Sequence, residues 1–273
     1  MPLFIINKPK DISSNNYLTQ IKREIGTKKA GHSGTLDPFA TGLLVIATDG
    51  ETKLLSRFLE TTKVYTGKIL FGKTTDTLDT EGEVTEEKDV EITKLMIEEQ
   101  IQLKFTGIIE QTPPIYSAIK VDGKRSYDLA REGKEVEHKP VKRTIFSFKV
   151  KETSEKNVFS FEVKVSSGTY IRSLAYDLGQ ALNVPSMLIE LTRTKVGLLS
   201  LENVVGEYTE VSILDALNLQ TIDVREDTMK WLLDGKEFNF KSHLEEFIAK
   251  FESDEVIVKQ TGENKFKIRK RIN

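Results

Sequence analysis

Gly31-His32-Ser33-Gly34-Thr35-Leu36-Asp37-Pro38-Phe39-Ala40-Thr41-Gly42-Leu43-Leu44 is the stretch of this 273-residue chain from which the rest is read. Three glycines and a proline make a shaped loop, because glycine supplies backbone angles other residues resist and Pro38 fixes the turn after Asp37. The loop runs into an apolar strand at Gly42 to Thr48, and its one acid is Asp37. An Asp before Pro is most often a turn residue, bonding the backbone two residues on. Here its setting between glycines, a histidine and basic segments marks it as a candidate for carboxylate chemistry.

Upstream, Leu3 to Ile6 reads as a short buried strand followed by a turn through Lys8 to Asp11. Ser13 or Ser14 caps a helix with Leu18, Ile21 and Ile25 at helical spacing, and Gly26 stops it. Downstream, a short helix is expected at Lys53 to Leu59 and a strand at Val64 to Phe71, with Tyr65, Ile69 and Phe71 on one face. An acidic helix covers Thr93 to Lys104, and Lys142 to Val150 pairs with Val158 to Val165 as a hairpin. After Ser166-Ser167-Gly168-Thr169-Tyr170 comes a helix with Leu174, Ala175, Leu178 and Leu182 on one side, then a strand at Met187 to Val196. Arg172 falls in the first turn of that helix, where a cation opposes the helix dipole, so a specific acidic partner is expected.

The formal net charge is -2, but it is unevenly spread. Residues 76 to 100 carry ten acids against two lysines, whereas residues 118 to 151 carry ten Lys or Arg against five acids. Tyr116, Arg125, Tyr127, Arg131 and Lys134 interleave aromatic and basic residues, the mixture that grips phosphates and stacks on unpaired bases. No cysteine occurs, which removes disulfides, thiolate nucleophiles and Cys-ligated zinc and is compatible with a reducing cytosol. The amino end shows no secretory leader and no run approaches membrane-spanning length, so a cytoplasmic protein without a membrane partner is expected. His32, His138 and His243 lack metal-ligand spacing, so no metal is expected.

Gly67 to Thr74 matches the phosphate-loop pattern G-x-x-x-x-G-K-[ST]. Its variable positions are strand-like, no helical period follows, and the acids of 76 to 81 would repel a triphosphate, so no nucleotide cofactor is expected.

G-H-S-G-T-L-D-P-F-A-T-G-L-L, K-V-Y at 63 to 65, G-K-T-T-D-T-L-D-T-E-G at 72 to 82, Q-T-P-P-I-Y-S-A-I-K at 111 to 120, S-G-T-Y-I-R-S-L at 167 to 174 and L-T-R-T-K-V-G at 191 to 197 occur in order. Together they resemble the TruB family, bacterial tRNA pseudouridine synthases that modify uridine-55 of the T loop. The resemblance implies an α/β (α+β) fold, a mixed and largely antiparallel sheet with flanking helices, over residues 1–206. It also implies an RNA-gripping insertion at about 115–140 and a small, divergent PUA-like domain over 207–273. Asp37 is implied as the catalytic nucleophile, Arg172 as its ion-pair partner, and Tyr65 as lying against the uracil. His32 would fill the space left by a flipped base, and Tyr170 and Leu191 would line the substrate pocket. A monomer acting on the T-arm stem-loop of tRNA without any cofactor is expected. The family's usual K-P-x-G-x-T-S reads here Lys8-Pro9-Lys10-Asp11-Ile12-Ser13-Ser14, with Asp11 in place of glycine. Asp adopts the left-handed backbone at modest cost, so activity is expected to survive the change. Two rivals are a binding-only RNA chaperone of the same fold and a phosphate-loop NTPase that would hold nucleotide through Lys73. A related reading, disfavoured by the compact chain without extended basic tails, is the guide-RNA-dependent branch of the superfamily.

Overall fold

The computed structural model describes residues 3–117, 120–121, 124–126, 129 and 138–272. Tyr127, Arg131 and Lys134 of the basic stretch, and most of the expected RNA-gripping insertion, lie outside the described residues.

The chain opens with β1 (Leu3–Lys8) and α1 (Ser14–Ile25). Ser13 caps α1 by accepting from the Asn16 N–H, and Gly26 ends it in the left-handed conformation. The hairpin-like β2 (Ala30–His32) and β3 (Thr41–Thr48) flank the Asp37 loop. The segment expected as one short helix divides into a 3-10 turn at Asp49–Leu54 and α2 (Leu55–Glu60). β4 (Lys63–Phe71) follows, with Tyr65, Ile69 and Phe71 buried on one face as the alternation requires. Gly72 then turns the chain at φ +100° into β5 (Lys73–Thr75), which pairs with β6 (Val84–Glu87). A strand, not a helix, therefore follows the phosphate-loop match, and Lys73 Nζ lies 3.5 Å from the Glu87 carboxylate.

Next come α3 (Lys94–Lys104), β7 (Gly107–Gln111), the short strands β8 (Lys120–Val121) and β9 (Lys124–Arg125), and the hairpin β10 (Val141–Glu152) with β11 (Val158–Val165). They are followed by α4 (Ile171–Ala181), β12 (Ser186–Val196), β13 (Leu199–Ser200) and β14 (Tyr208–Val211). The large sheet runs β14-β1-β3-β12-β4-β11-β10-β7, with β2 on β3 and β13 on β12. Every pairing is antiparallel except the short parallel contact of β12 with β3. This is the mixed, largely antiparallel α+β architecture the sequence predicts. Ile21 of α1, Ile97 and Ile101 of α3, and Leu174 and Leu178 of α4 bury against one face of the sheet. Each large side chain removed from water there contributes roughly 1.5–3 kcal/mol.

At the one parallel contact of the large sheet two backbones nearly touch. Gly42 pairs with Arg193 at φ +109°, and a Cβ added there would meet the Arg193 carbonyl oxygen at 2.4 Å. Gly42→Ala is therefore expected to cost about 2–4 kcal/mol, combining backbone strain with the steric clash. Urea unfolding checks it, and a loss below about 0.5 kcal/mol contradicts this account of the β3–β12 contact.

The C-terminal part contains α5 (Ile213–Leu217), α6 (Glu226–Leu233) and a separate sheet ordered β15-β17-β18-β19-β16. Its strands are β15 (Thr221–Asp223), β16 (Phe238–Asn239), β17 (Glu246–Phe251), β18 (Asp254–Gly262) and β19 (Lys265–Arg271). β14 belongs by hydrogen bonding to the large sheet, so the second sheet begins at Thr221. Phe247, Ala249, Val256 and Val258 face a small core with Phe238, Phe266, Met229 and Leu232. The intervening Ile248 and Ile257 turn the other way and join Leu3, Ile5, Val45 and Phe58 of the large domain.

Candidate active site

The Asp37 loop is held by contacts that fix its backbone point by point. Ser14 Oγ donates to the Leu36 carbonyl at 2.9 Å and accepts from the Leu36 N–H at 2.8 Å. The Pro38 carbonyl accepts from Lys8 Nζ at 3.2 Å and from the Asp11 N–H at 2.9 Å. Asp11 does take the left-handed conformation, at φ 64°, so the residue that replaces glycine still reaches the loop. Arg193 spans the loop, donating from Nε to the Leu43 carbonyl at 2.8 Å and from Nη2 to the Gly34 carbonyl at 3.0 Å. Leu36, Phe39 and Ala40 point inward and are buried.

Asp37 is thereby left facing outward at the floor of a cavity of about 370 Å³. Its side chain is 37% exposed, against 6% for Arg172, which meets it from α4. Arg172 Nε lies 2.9 Å from Asp37 Oδ2 and Nη2 lies 3.2 Å from Oδ1, a two-point charge-assisted contact. The partner expected for a cation at a helix start is thus the acid of the distant loop. Enclosure of the Asp37 carboxyl raises it above the ordinary carboxylate range, Arg172 pulls it down, and Asp79 pushes it up again.

Tyr65, Tyr170 and Leu191 line the same cavity. Tyr170 caps the start of α4, where its N–H donates to Gln111 Oε1 at 2.8 Å and its carbonyl accepts from Gln111 Nε2 at 2.9 Å. His32 is not in the cavity wall: it is half-buried at the end of β2, its Nε2 3.2 Å from Asn15 Oδ1.

Asp79, Lys8 and Arg193 were not singled out in the sequence. Asp79 is 2% exposed and lies 3.5 Å from Arg172 Nη1, which also donates to the Thr77 carbonyl at 2.9 Å, while Nη2 donates to the Tyr116 carbonyl at 2.8 Å. Within ten acids in twenty-five residues the charge pattern alone does not distinguish a buried one. Its flanking threonines were the available signal, since Thr77 Oγ1 donates to its carboxylate at 2.6 Å and Thr75 Oγ1 to its carbonyl at 2.6 Å. Among the described residues no group of three or more His, Asp or Glu is placed to hold a metal ion, and no helix is long and apolar enough to cross a membrane.

An accessible carboxylate braced by a guanidinium in a partly enclosed cavity can attack an electron-poor carbon or stabilise positive charge on it. Comparison with known proteins identifies the family. Residues 22–171 match the TruB family pseudouridylate synthase N-terminal domain. The tRNA pseudouridine synthase B of Aquifex aeolicus is 37% identical over 262 residues, covering 92% of this chain and 91% of that one. The chain belongs to the TruB family. TruB proteins are pseudouridine synthases, so this chain is an isomerase. The tRNA pseudouridine synthase B of Mycoplasma mobile is 39% identical over 260 residues, with 93% of this chain and 88% of the relative aligned. Among solved structures, a Cbf5-Nop10-Gar1 complex superposes with a TM-score of 0.70 at 20% identity, over 99% of this chain and 85% of that one. That likeness establishes the fold of this TruB protein and its sheet.

Proposed function

We propose that this chain converts uridine-55 in the T loop of tRNA to pseudouridine, with Asp37 as the nucleophile. The observation that carries the reading is the Asp37 carboxylate, exposed at the cavity floor and gripped from behind by Arg172. The uracil detaches from its sugar nitrogen bond, turns, and rejoins through carbon, so substrate and product are isomers and no redox partner or ATP is consumed. A carboxylate suits the step because it can trap or shield the sugar carbon as it becomes electron-poor. Extruding the target base from its stack costs a few kcal/mol, which protein contacts must offset.

Tyr65 lies against the uracil, with Tyr170 and Leu191 completing the pocket. His32, outside the cavity wall at the end of β2, fills the gap left in the RNA. The segment of about 115–140 closes over the stem-loop, and its base is tied to the site through the Tyr116 carbonyl on Arg172. Residues 1–206 act as the catalytic domain, and 207–273 as a PUA-like module adding RNA contacts through Lys265, Lys267, Arg269, Lys270 and Arg271. The protein works as a cytoplasmic monomer. The sequence relatives, named as tRNA enzymes, favour this reading over a guide-RNA-dependent one.

The test is to incubate purified protein with an unmodified T-arm stem-loop and map pseudouridine along it. Product is expected at the single uridine corresponding to position 55, with none when that base is cytidine. Product elsewhere, or none at all, refutes the assignment.

A further inference from the structure

Four cations are buried among the described residues: Lys8, Lys63, Arg172 and Arg193. Two have acids close by. Arg172 contacts Asp37 and Asp79, and Lys8 sits in the field of Asp37, Glu81 and Asp11. The other two have only each other. Arg193 is 2% exposed and Lys63 6%, and neither forms an ion pair with any described carboxylate. Burial and the neighbouring Arg193 lower the Lys63 ammonium to about 8, and burial and Arg193 also lower His32.

Their position follows from strand register. Arg193 on β12 is directly opposite Tyr65 on β4, and Lys63, two residues before Tyr65, faces the same side. Both line the cavity that holds Asp37. Lys63 Nζ is saturated by the carbonyls of Phe58, Leu59 and Thr61. Arg193 uses Nε and Nη2 on Leu43 and Gly34, and its Nη1 has no acceptor among the described residues. Neutral carbonyls take up Lys63 Nζ and the Nε and Nη2 of Arg193 but leave two like charges uncompensated in a partly enclosed site, an arrangement that costs stability unless an anion joins it. A guanidinium with free N–H groups is the side chain best matched to phosphate oxygens.

We propose that Arg193, reinforced by the charge of Lys63, is an anion subsite that takes one backbone phosphodiester of the RNA next to the target uridine. The inference rests on the RNA substrate proposed above and deepens it. Because Arg193 stands beside Tyr65, the phosphate it takes belongs to the extruded nucleotide or its immediate neighbour. The subsite registers that nucleotide against Asp37.

The experiment is a phosphate scan. T-arm stem-loops carrying one neutral methylphosphonate at each position around the target uridine are titrated against the Asp37→Asn protein, with and without Arg193→Met. One position flanking the target is expected to weaken binding about tenfold with Arg193 present and less than about twofold without it, the signature of a coupled pair. Equal losses in both proteins at every position overturn the proposal. If Arg193→Met fails to fold, the scan with Arg193 intact still decides. No flanking position costing more than about threefold overturns the subsite, because a desolvated phosphate–Arg contact is worth at least that. Arg193→Lys is the second variant, expected to retain part of the selective loss through its charge. Failure of the function itself reads out separately, as the absence of pseudouridine when the unaltered protein meets the unmodified stem-loop.

Discussion

Asp37→Asn is expected to abolish pseudouridine formation, lowering the single-turnover rate by a factor on the order of 10⁴ or more, as loss of a nucleophile does elsewhere. The amide keeps the shape of the carboxylate and can still accept from Arg172, while Leu36, Phe39, Ser14 and Lys8 continue to hold the loop. Affinity for the T-arm stem-loop should therefore change by less than about threefold, since most RNA affinity comes from phosphate contacts made elsewhere. Rapid-quench assays of product with binding measured in parallel separate the two effects. Turnover within tenfold of the unaltered protein would remove Asp37 from the chemistry. Loss of binding in step with activity would make the residue structural.

Arg172→Met should damage both stability and rate. Arg172 is 5% exposed, and its guanidinium serves two carboxylates and the carbonyls of Thr77 and Tyr116 together. Removing it strands Asp79, at 2% exposure, without its cation beside the carboxylate of Asp37, and breaking a buried pair in this way costs about 3–5 kcal/mol. Of the acids, Asp37 also loses the groups that orient it, so the rate of the folded fraction should fall about 10²-fold or more. Arg172→Lys should recover little of either, because an ammonium cannot offer the planar fork that reaches all four acceptors. Urea unfolding and single-turnover assays in conditions where each variant is folded check the pair. A variant that unfolds early yet reacts at the normal rate would make Arg172 a structural residue only.

The large sheet and its helices were legible because their signals are local. Ser13 and Gly26 bracket α1, the alternation of Tyr65, Ile69 and Phe71 fixes the face of β4, and Asn157 turns the β10–β11 hairpin at φ 58°. Asp37 and Arg172 were legible separately, one by its setting and the other as a charge lacking a counterpart, and 134 residues of intervening chain fold so that each supplies the other. What escaped reading depends on contacts that no spacing encodes. Arg193 is buried on the carbonyls of Leu43 and Gly34, Lys8 on those of Pro9, Ile12 and Pro38, and Asp79 against Arg172 of α4, partners that are in part far away in the chain. A lysine in a polar run looks the same whether it faces water or the underside of a loop. The 3-10 turn at Asp49–Leu54 escaped for a different reason, because periodicity does not separate it from the first turn of an α-helix.

The C-terminal sheet has no free face along β17 and β18. Phe247 and Ala249 look one way and Ile248 the other, while Val256 and Val258 oppose Ile257 in the same manner. Arg57 and Arg269 both reach Glu246 at this seam. Such a segment cannot be treated as a detachable appendage. Cutting the chain before Thr221 would lay bare Leu3, Ile5 and Val45 on the catalytic half and Ile248 and Ile257 on the excised half, two sticky surfaces where one sealed joint had been. Sequence drift in this region is thus free at the rims and loops, whereas the central strands must satisfy two neighbours at once.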